Sequence, residues 1–152
     1  MKLAEALMER ADLKARIAQL SDRLNSNSKV YEGEEPLEDP KKMLKDLNVM
    51  TDRYEELVWK INTANATTVA ENGETLARLI ARRDALMDKE RIIKSLIDST
   101  KTDLYERRTK DMAVKVVTVD VRSLRREADG LAKTIRETDA IIQSTNWNTT
   151  ID

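Results

Sequence analysis

The chain has 152 residues, a length suited to one domain with its own core, and a formal net charge of -1. Hydrophobic residues make up 40% but aromatics only 3%, with no Phe, while charged residues of both signs reach 36%; this composition points to long amphipathic helices with narrow seams and away from disorder. The absence of Cys and His excludes disulfides, Cys/His zinc sites, thiol nucleophiles, Ser-His-Asp triads, histidine acid–base chemistry and the Glu-x-x-His signature of di-iron bundles.

The first predicted helix covers residues 2–26. Leu3, Leu7, Leu13, Ile17, Leu20 and Leu24 share one face, with Arg10 on the same stripe. Its start, MKLAEALMER, carries Glu5 and Glu9 where a secretory segment would need an apolar run. No stretch of the chain reaches the ~20 apolar residues of a spanning helix, so a cytoplasmic protein is expected and a membrane partner is not. Asp12 and Arg16 form an acid-first i,i+4 pair. Asn25, Ser26, Asn27 and Ser28 compete for local backbone hydrogen bonds and end the helix.

The connection from Lys29 to Asp39 is irregular and acidic, with Gly33 and Pro36 opposing helix and Val30-Tyr31 suited to a short extended piece. Asp39-Pro40 is a strong helix start, because Asp accepts from the first free amides and Pro gives up only an amide that had no partner. The second helix, about 40–64, carries a heptad seam of Met43, Leu47, Met50, Tyr54, Leu57, Ile61 and Ala64, and an acid-first pair of Glu56 and Lys60. Asn72-Gly73 centres the next break, in which Thr67, Thr68 and Val69 are expected to be extended.

The third helix, about 75–106, has the seam Leu76, Leu79, Leu86, Ile93, Ile97 and Leu104, interrupted by Arg83 and Glu90. Residues 112–119 are rich in Val and favour an extended segment. Asp120 caps the fourth helix, about 120–145, whose stripe of Val121, Leu124, Ala128, Leu131, Ile135 and Ile142 is broken by Thr138. Trp147 is placed in a tail beyond it, and Trp59 and Trp147 are both expected to be packing residues, at helix ends or at a subunit contact.

Together these elements predict a single all-α domain over 1–152. Long antiparallel helices would form a four-helix bundle or coiled-coil-like arrangement, with short extended pieces at the connections. An up-down-up-down order puts the 29–39 and 109–119 connections at one end, and Thr67–Val69 with the C-terminal tail at the other. Each end would hold two extended pieces able to pair as a small ribbon. The competing architecture is an extended helical hairpin whose stripe is covered by another subunit. Few aromatics on long stripes favour a homo-oligomer.

Arg10, Arg83 and Glu90 form a candidate polar seam layer, with Arg10 and Arg83 expected near Tyr54, Glu55, Glu56 and Asp139. Such a layer either binds a ligand or fixes helix register, and register is the commoner use. Arg107, Arg108, Lys110 and Lys115 precede the fourth helix, and Arg122, Arg125 and Arg126 fall in its first turns as a candidate basic contact patch. Cations at a helix N-terminus oppose the dipole, so an acidic partner is expected, with the 32–39 connection the nearest source. Nucleic acid is not expected, since the chain is net negative and lacks a recognition module. Carboxylate pairs such as Glu34/Glu35 and Glu55/Glu56 arise by chance among 28 acidic residues. No phosphate-binding Gly loop or hydrolase motif occurs. No catalytic residue, cofactor, metal or small-molecule ligand is therefore predicted, and the protein reads as non-enzymatic.

The segments MKLAEALMERADLKARIAQLSDRL, EGEEPLEDP, LARLIARRDAL, TVDV, LRREADGLAKTIRETDAIIQ and NW resemble a small bacterial family described as septicolysin-like. The likeness consists of dispersed short matches over nearly the whole chain and includes no catalytic motif. It implies a helical, oligomeric protein, and the family's label implies a membrane-active cytolysin. Residues 112–121 are the segment that would face lipid in that role, interrupted by Lys115 and Asp120. The resemblance brings no site residues with it.

Overall fold

Asp39 and Asp120 start helices as their sequence context demands. In a computed structural model that describes residues 1–101 and 115–152, Asp39 Oδ1 accepts from Lys41 N at 2.9 Å and Asp120 Oδ1 accepts from Ser123 N at 3.0 Å. The fold is all-α. Among the described residues the helices are α1 (Leu3–Ser26), α2 (Pro40–Thr67), α3 (Leu76–Ser99) and α4 (Val121–Asn148). At the start of α1, Glu5 Oε2 accepts from Lys2 N at 2.7 Å.

Three helix ends differ from the sequence expectation. Thr67 is helical and not extended: its hydroxyl donates to Thr63 O at 2.9 Å, so a β-branched residue closes α2 without a lost bond. α3 stops at Ser99, where the Ser99 and Thr100 hydroxyls donate to Leu96 O and Ile97 O, each at 2.7 Å, and i→i+3 bonds replace the helical ladder. The expected continuation to 106, with Leu104, lies outside the described residues beyond Lys101, as do Arg107, Arg108, Lys110, Met112 and Val114 of the segment that follows. Trp147 belongs to the last turn of α4 and not to a tail, because Thr149 N still bonds Thr145 O at 2.9 Å.

The extended pieces also pair differently. Val69 bridges Thr75 across its own turn, with Gly73 at φ +81° and Ala70 N donating to Glu74 O at 2.8 Å. That turn needs a left-handed residue, which Gly supplies without a Cβ clash. The C-terminal segment pairs with the N-terminus and not with Thr67–Val69. Lys2 bridges Thr150, Leu3 N donates to Thr149 O, and Ile151 N donates to Met1 O, both at 2.9 Å. The acidic connection turns at Gly33 (φ +89°), and its expected partner at 109–119 lies mostly outside the described residues.

The chain divides into two compact units, residues 1–76 with 143–152, and residues 77–142. In the first unit α1 and α2 run antiparallel, as the pairs Glu9–Arg53 and Arg23–Glu38 require. Leu3, Leu57, Ile61 and Leu76 are fully buried there, joined by Ala6, Leu20, Met43 and Ile151. Each full burial of a Leu or Ile contributes about 1.5–3 kcal/mol. Leu13, Ile17, Leu47, Met50 and Tyr54, on the same two stripes, are only half-buried.

In the second unit α3 and α4 are antiparallel, joined by Arg83–Asp139 and Lys89–Glu127. Leu79, Ile93, Ala128 and Ile142 are buried, while Leu86, Ile97, Leu124, Leu131 and Ile135 are half-buried. Thr138 interrupts the stripe chemically but is buried with it, its hydroxyl donating to Thr134 O at 2.8 Å.

Candidate functional site

The residues singled out from the seam pattern belong to both units. Arg10 lies in the first unit and is half-buried on the α1 stripe. Arg83 and Glu90 lie in the second unit on α3, both half-buried. Arg83 Nη1 donates to Asp139 Oδ1 of α4 at 3.0 Å, and its Nη2 to Asp84 Oδ1 at 2.9 Å. Burial works against the Arg83 charge, and the Asp84 and Asp139 carboxylates outweigh it, so its pKa is raised. Glu90 is held by Lys94 at 2.7 Å within its own helix. The seam of this unit therefore carries a cation and an anion one heptad apart, each already paired.

Arg122, Arg125 and Arg126 are exposed on the first turns of α4. Glu38, one of the acids of the 32–39 connection, is engaged by Arg23, whose Nε donates to Glu38 Oε2 at 2.9 Å. That bond holds the Glu38 carboxyl below the usual carboxylate range. Asn27 Oδ1 accepts from Glu38 N at 3.0 Å, which ties the end of α1 to the approach of α2.

A further polar cluster joins α1 to α2, and of it only the Glu56–Lys60 pair is expected from sequence. Arg53 donates from Nε and Nη2 to the two oxygens of Glu9 at 2.7 and 3.0 Å, and from Nη1 to Glu56 at 2.7 Å. Lys60 closes the chain onto Glu56 at 2.6 Å. Bonding to Arg53 lowers the Glu9 pKa; bonding to Lys60 and then to Arg53 lowers that of Glu56. Arg53 and Glu9 flank their seams as the charged positions beside a coiled-coil core do. That opposite-charge flanking was the available signal; the antiparallel register needed to match them was not.

One turn from this network, the end of α2 and residues 149–152 enclose a shallow pocket of about 250 Å³. Its walls are Trp59, Lys60 and Ile151 with threonines from both segments. Trp59 is 66% exposed and Trp147 52% exposed, so neither is packed into the core of its own chain. Four of the polar groups here bond within the chain. Thr67 and Thr149 donate to helix carbonyls, Lys60 holds Glu56, and Thr150 Oγ1 accepts from Lys2 Nζ at 3.3 Å. Among the described residues no cluster of acidic side chains is placed to hold a metal ion, and no helix is long and apolar enough to cross a membrane.

Residues 10–151 match the model of a family of unknown function, DUF6847. No curated protein matches the chain significantly. The crystal structure of a functionally unknown conserved protein from Corynebacterium diphtheriae is similar to it, with 37% identity and a TM-score of 0.91 over 100% of this chain and 99% of that one.

Proposed function

The chain belongs to DUF6847, a family of unknown function, and from that premise we propose that it is a non-enzymatic helical protein that associates with itself and serves as a structural or interaction module. The observation that carries this reading is the half-burial of residues on facing stripes. Leu13, Ile17, Leu47 and Met50 in one unit, and Leu86, Ile97, Leu131 and Ile135 in the other, sit at seam positions yet stay half-exposed. Two helices side by side cover only part of each stripe, and apolar area left in water forgoes roughly 25 cal/mol per Å². Association with further helices recovers that stabilisation.

The charged groups fit a structural role. Arg83 and Glu90 are paired across or along helices and would set register, as would Arg10 at its seam position. The exposed patch of Arg122, Arg125 and Arg126 is available for an acidic surface. A chain without Cys suits the reducing cytoplasm, where we place it. The resemblance to septicolysin-like proteins supports the helical, oligomeric part of this reading, and its cytolytic part is the alternative.

Sedimentation velocity with light scattering on the untagged chain tests the proposal. The expected result is a species heavier than the 17.4 kDa chain, growing with concentration. A single 17.4 kDa species at every concentration would overturn it. Dye release from liposomes across lipid compositions would replace it with the membrane-active alternative.

A further inference from the structure

α3 carries apolar residues on two sides. One side holds Leu79, Arg83 and Ile93, and Arg83 reaches Asp139 of α4. At 100° per residue the opposite side holds Ala81, Ala85, Ile92 and Leu96. All four are exposed, Ile92 at 61% and Leu96 at 39%. An exposed helix face normally carries polar residues at such positions. The order along the stripe is uneven, with two small residues, then the adjacent opposite charges Asp88 and Lys89, then two large residues.

That order is complementary to itself reversed. Let a second α3 lie antiparallel on this face, with a two-fold axis between Asp88 and Lys89. Ala85 then meets Ile92 of the second copy, Ala81 meets Leu96, and Asp88, which holds Arg91 in its own helix, meets Lys89, which also holds Glu127 of α4. The symmetry repeats every contact. Ala lets the helices approach closely, and Ile and Leu fill the space it leaves. A parallel pairing would set Ala on Ala, leaving voids, and Asp88 on Asp88, leaving like charges together.

We propose that the Ala81–Leu96 face of α3 is the surface on which a second copy of this chain docks, antiparallel and two-fold symmetric. The inference rests on the self-association reading above and names its surface. One stripe over this length buries less than a standard stable interface, so association is expected in the micromolar range or weaker.

The test is sedimentation velocity on the full chain from about 5 to about 500 μM, with variants at exposed positions that leave the core intact. Asp88→Lys and Lys89→Asp each place like charges together across the axis; Lys89→Asp also removes the exposed Lys89–Glu127 pair to α4, so Asp88→Lys is the cleaner of the two. Each is expected to weaken association at least about tenfold, and the double exchange to restore it to within about threefold. Ile92→Lys with Leu96→Lys is expected to weaken it at least about a hundredfold. Because the chain has no Cys, Ala85→Cys with Ile92→Cys is expected to give an oxidised dimer that neither single variant gives. Circular dichroism melts confirm that each variant folds. Association unchanged in all these variants would overturn this surface and leave self-association standing. A 17.4 kDa species throughout would overturn both.

Discussion

Arg53 of α2 grips Glu9 of α1 with a two-pronged guanidinium–carboxylate contact, Nε to Oε1 at 2.7 Å and Nη2 to Oε2 at 3.0 Å. The contact holds the two helices at a single register. A one-residue slip moves one helix by about 1.5 Å and breaks both bonds, so the pair is made only at the register in which Leu57 and Ile61 are buried.

Arg53→Ala is expected to lower stability by about 0.5–1 kcal/mol, the scale of a well-aligned pair partly screened by water. The discount for screening follows from the exposure of the two side chains, 36% for Arg53 and 33% for Glu9. Arg53→Lys should recover only part of the loss, since an ammonium cannot fork onto both oxygens. Urea unfolding of the three proteins measures it, and a Lys variant equal to wild type would show that charge alone suffices.

Acid should unfold the protein earlier when these pairs are intact contributors to its stability. Glu9, Glu38 and Glu56 all have lowered pKa values in the fold, through bonds to Arg53, Arg23 and Lys60 respectively. A carboxyl whose folded pKa is depressed contributes stability that is complete above its unfolded pKa and is lost as pH falls through the folded one. These contributions should therefore stay constant from pH 7 to about pH 5 and decline below about pH 4.5. In Arg53→Ala the acid limb should be shallower, as read from circular dichroism melts at stepped pH.

Position on the stripe should decide the cost of truncation. Leu57 is fully buried, so Leu57→Ala is expected to cost about 2–5 kcal/mol. Leu47, on the same seam but half-buried, should cost about half as much or less. Chemical denaturation at low protein concentration compares them. A Leu47 cost that rises with concentration would show the stripe being covered by association.

The glycines should respond in opposite directions. Gly130 lies inside α4, and no neighbouring group comes within 4 Å of the place a Cβ would take, so Gly130→Ala should stabilise by roughly 0.5–1 kcal/mol. Gly73 adopts φ +81°, which disfavours a side chain, so Gly73→Ala should destabilise by about 1 kcal/mol or more. Thermal melts of the two variants test the contrast directly.

The helices were legible because their signals are short-ranged. The caps at Asp39 and Asp120, the turn at Asn72-Gly73 and the pairs Asp12–Arg16 and Glu56–Lys60 each involve groups within four residues of one another. Local backbone geometry brings such groups together whatever the rest of the chain does. The helix ends were read less well, because Thr67 and Ser99 can bond a carbonyl one turn back either to prolong a helix or to close it.

Tertiary structure decided the rest. That Arg53 chooses Glu9, that Arg23 takes Glu38, and that Thr150 pairs with Lys2 and not with the 67–69 segment all depend on register between distant elements. Several cations and acids flank each stripe at equivalent spacing, so periodicity alone ranks their pairings equally. Packing breaks the tie, because sliding one helix to satisfy a different pair would expose Leu57, Ile61 or Leu3, whose burial outweighs any surface ion pair. The second apolar face of α3 was present in the sequence from the start. Only the fold, by committing Leu79, Arg83 and Ile93 to one side, showed that Ala81, Ala85, Ile92 and Leu96 were left facing outward.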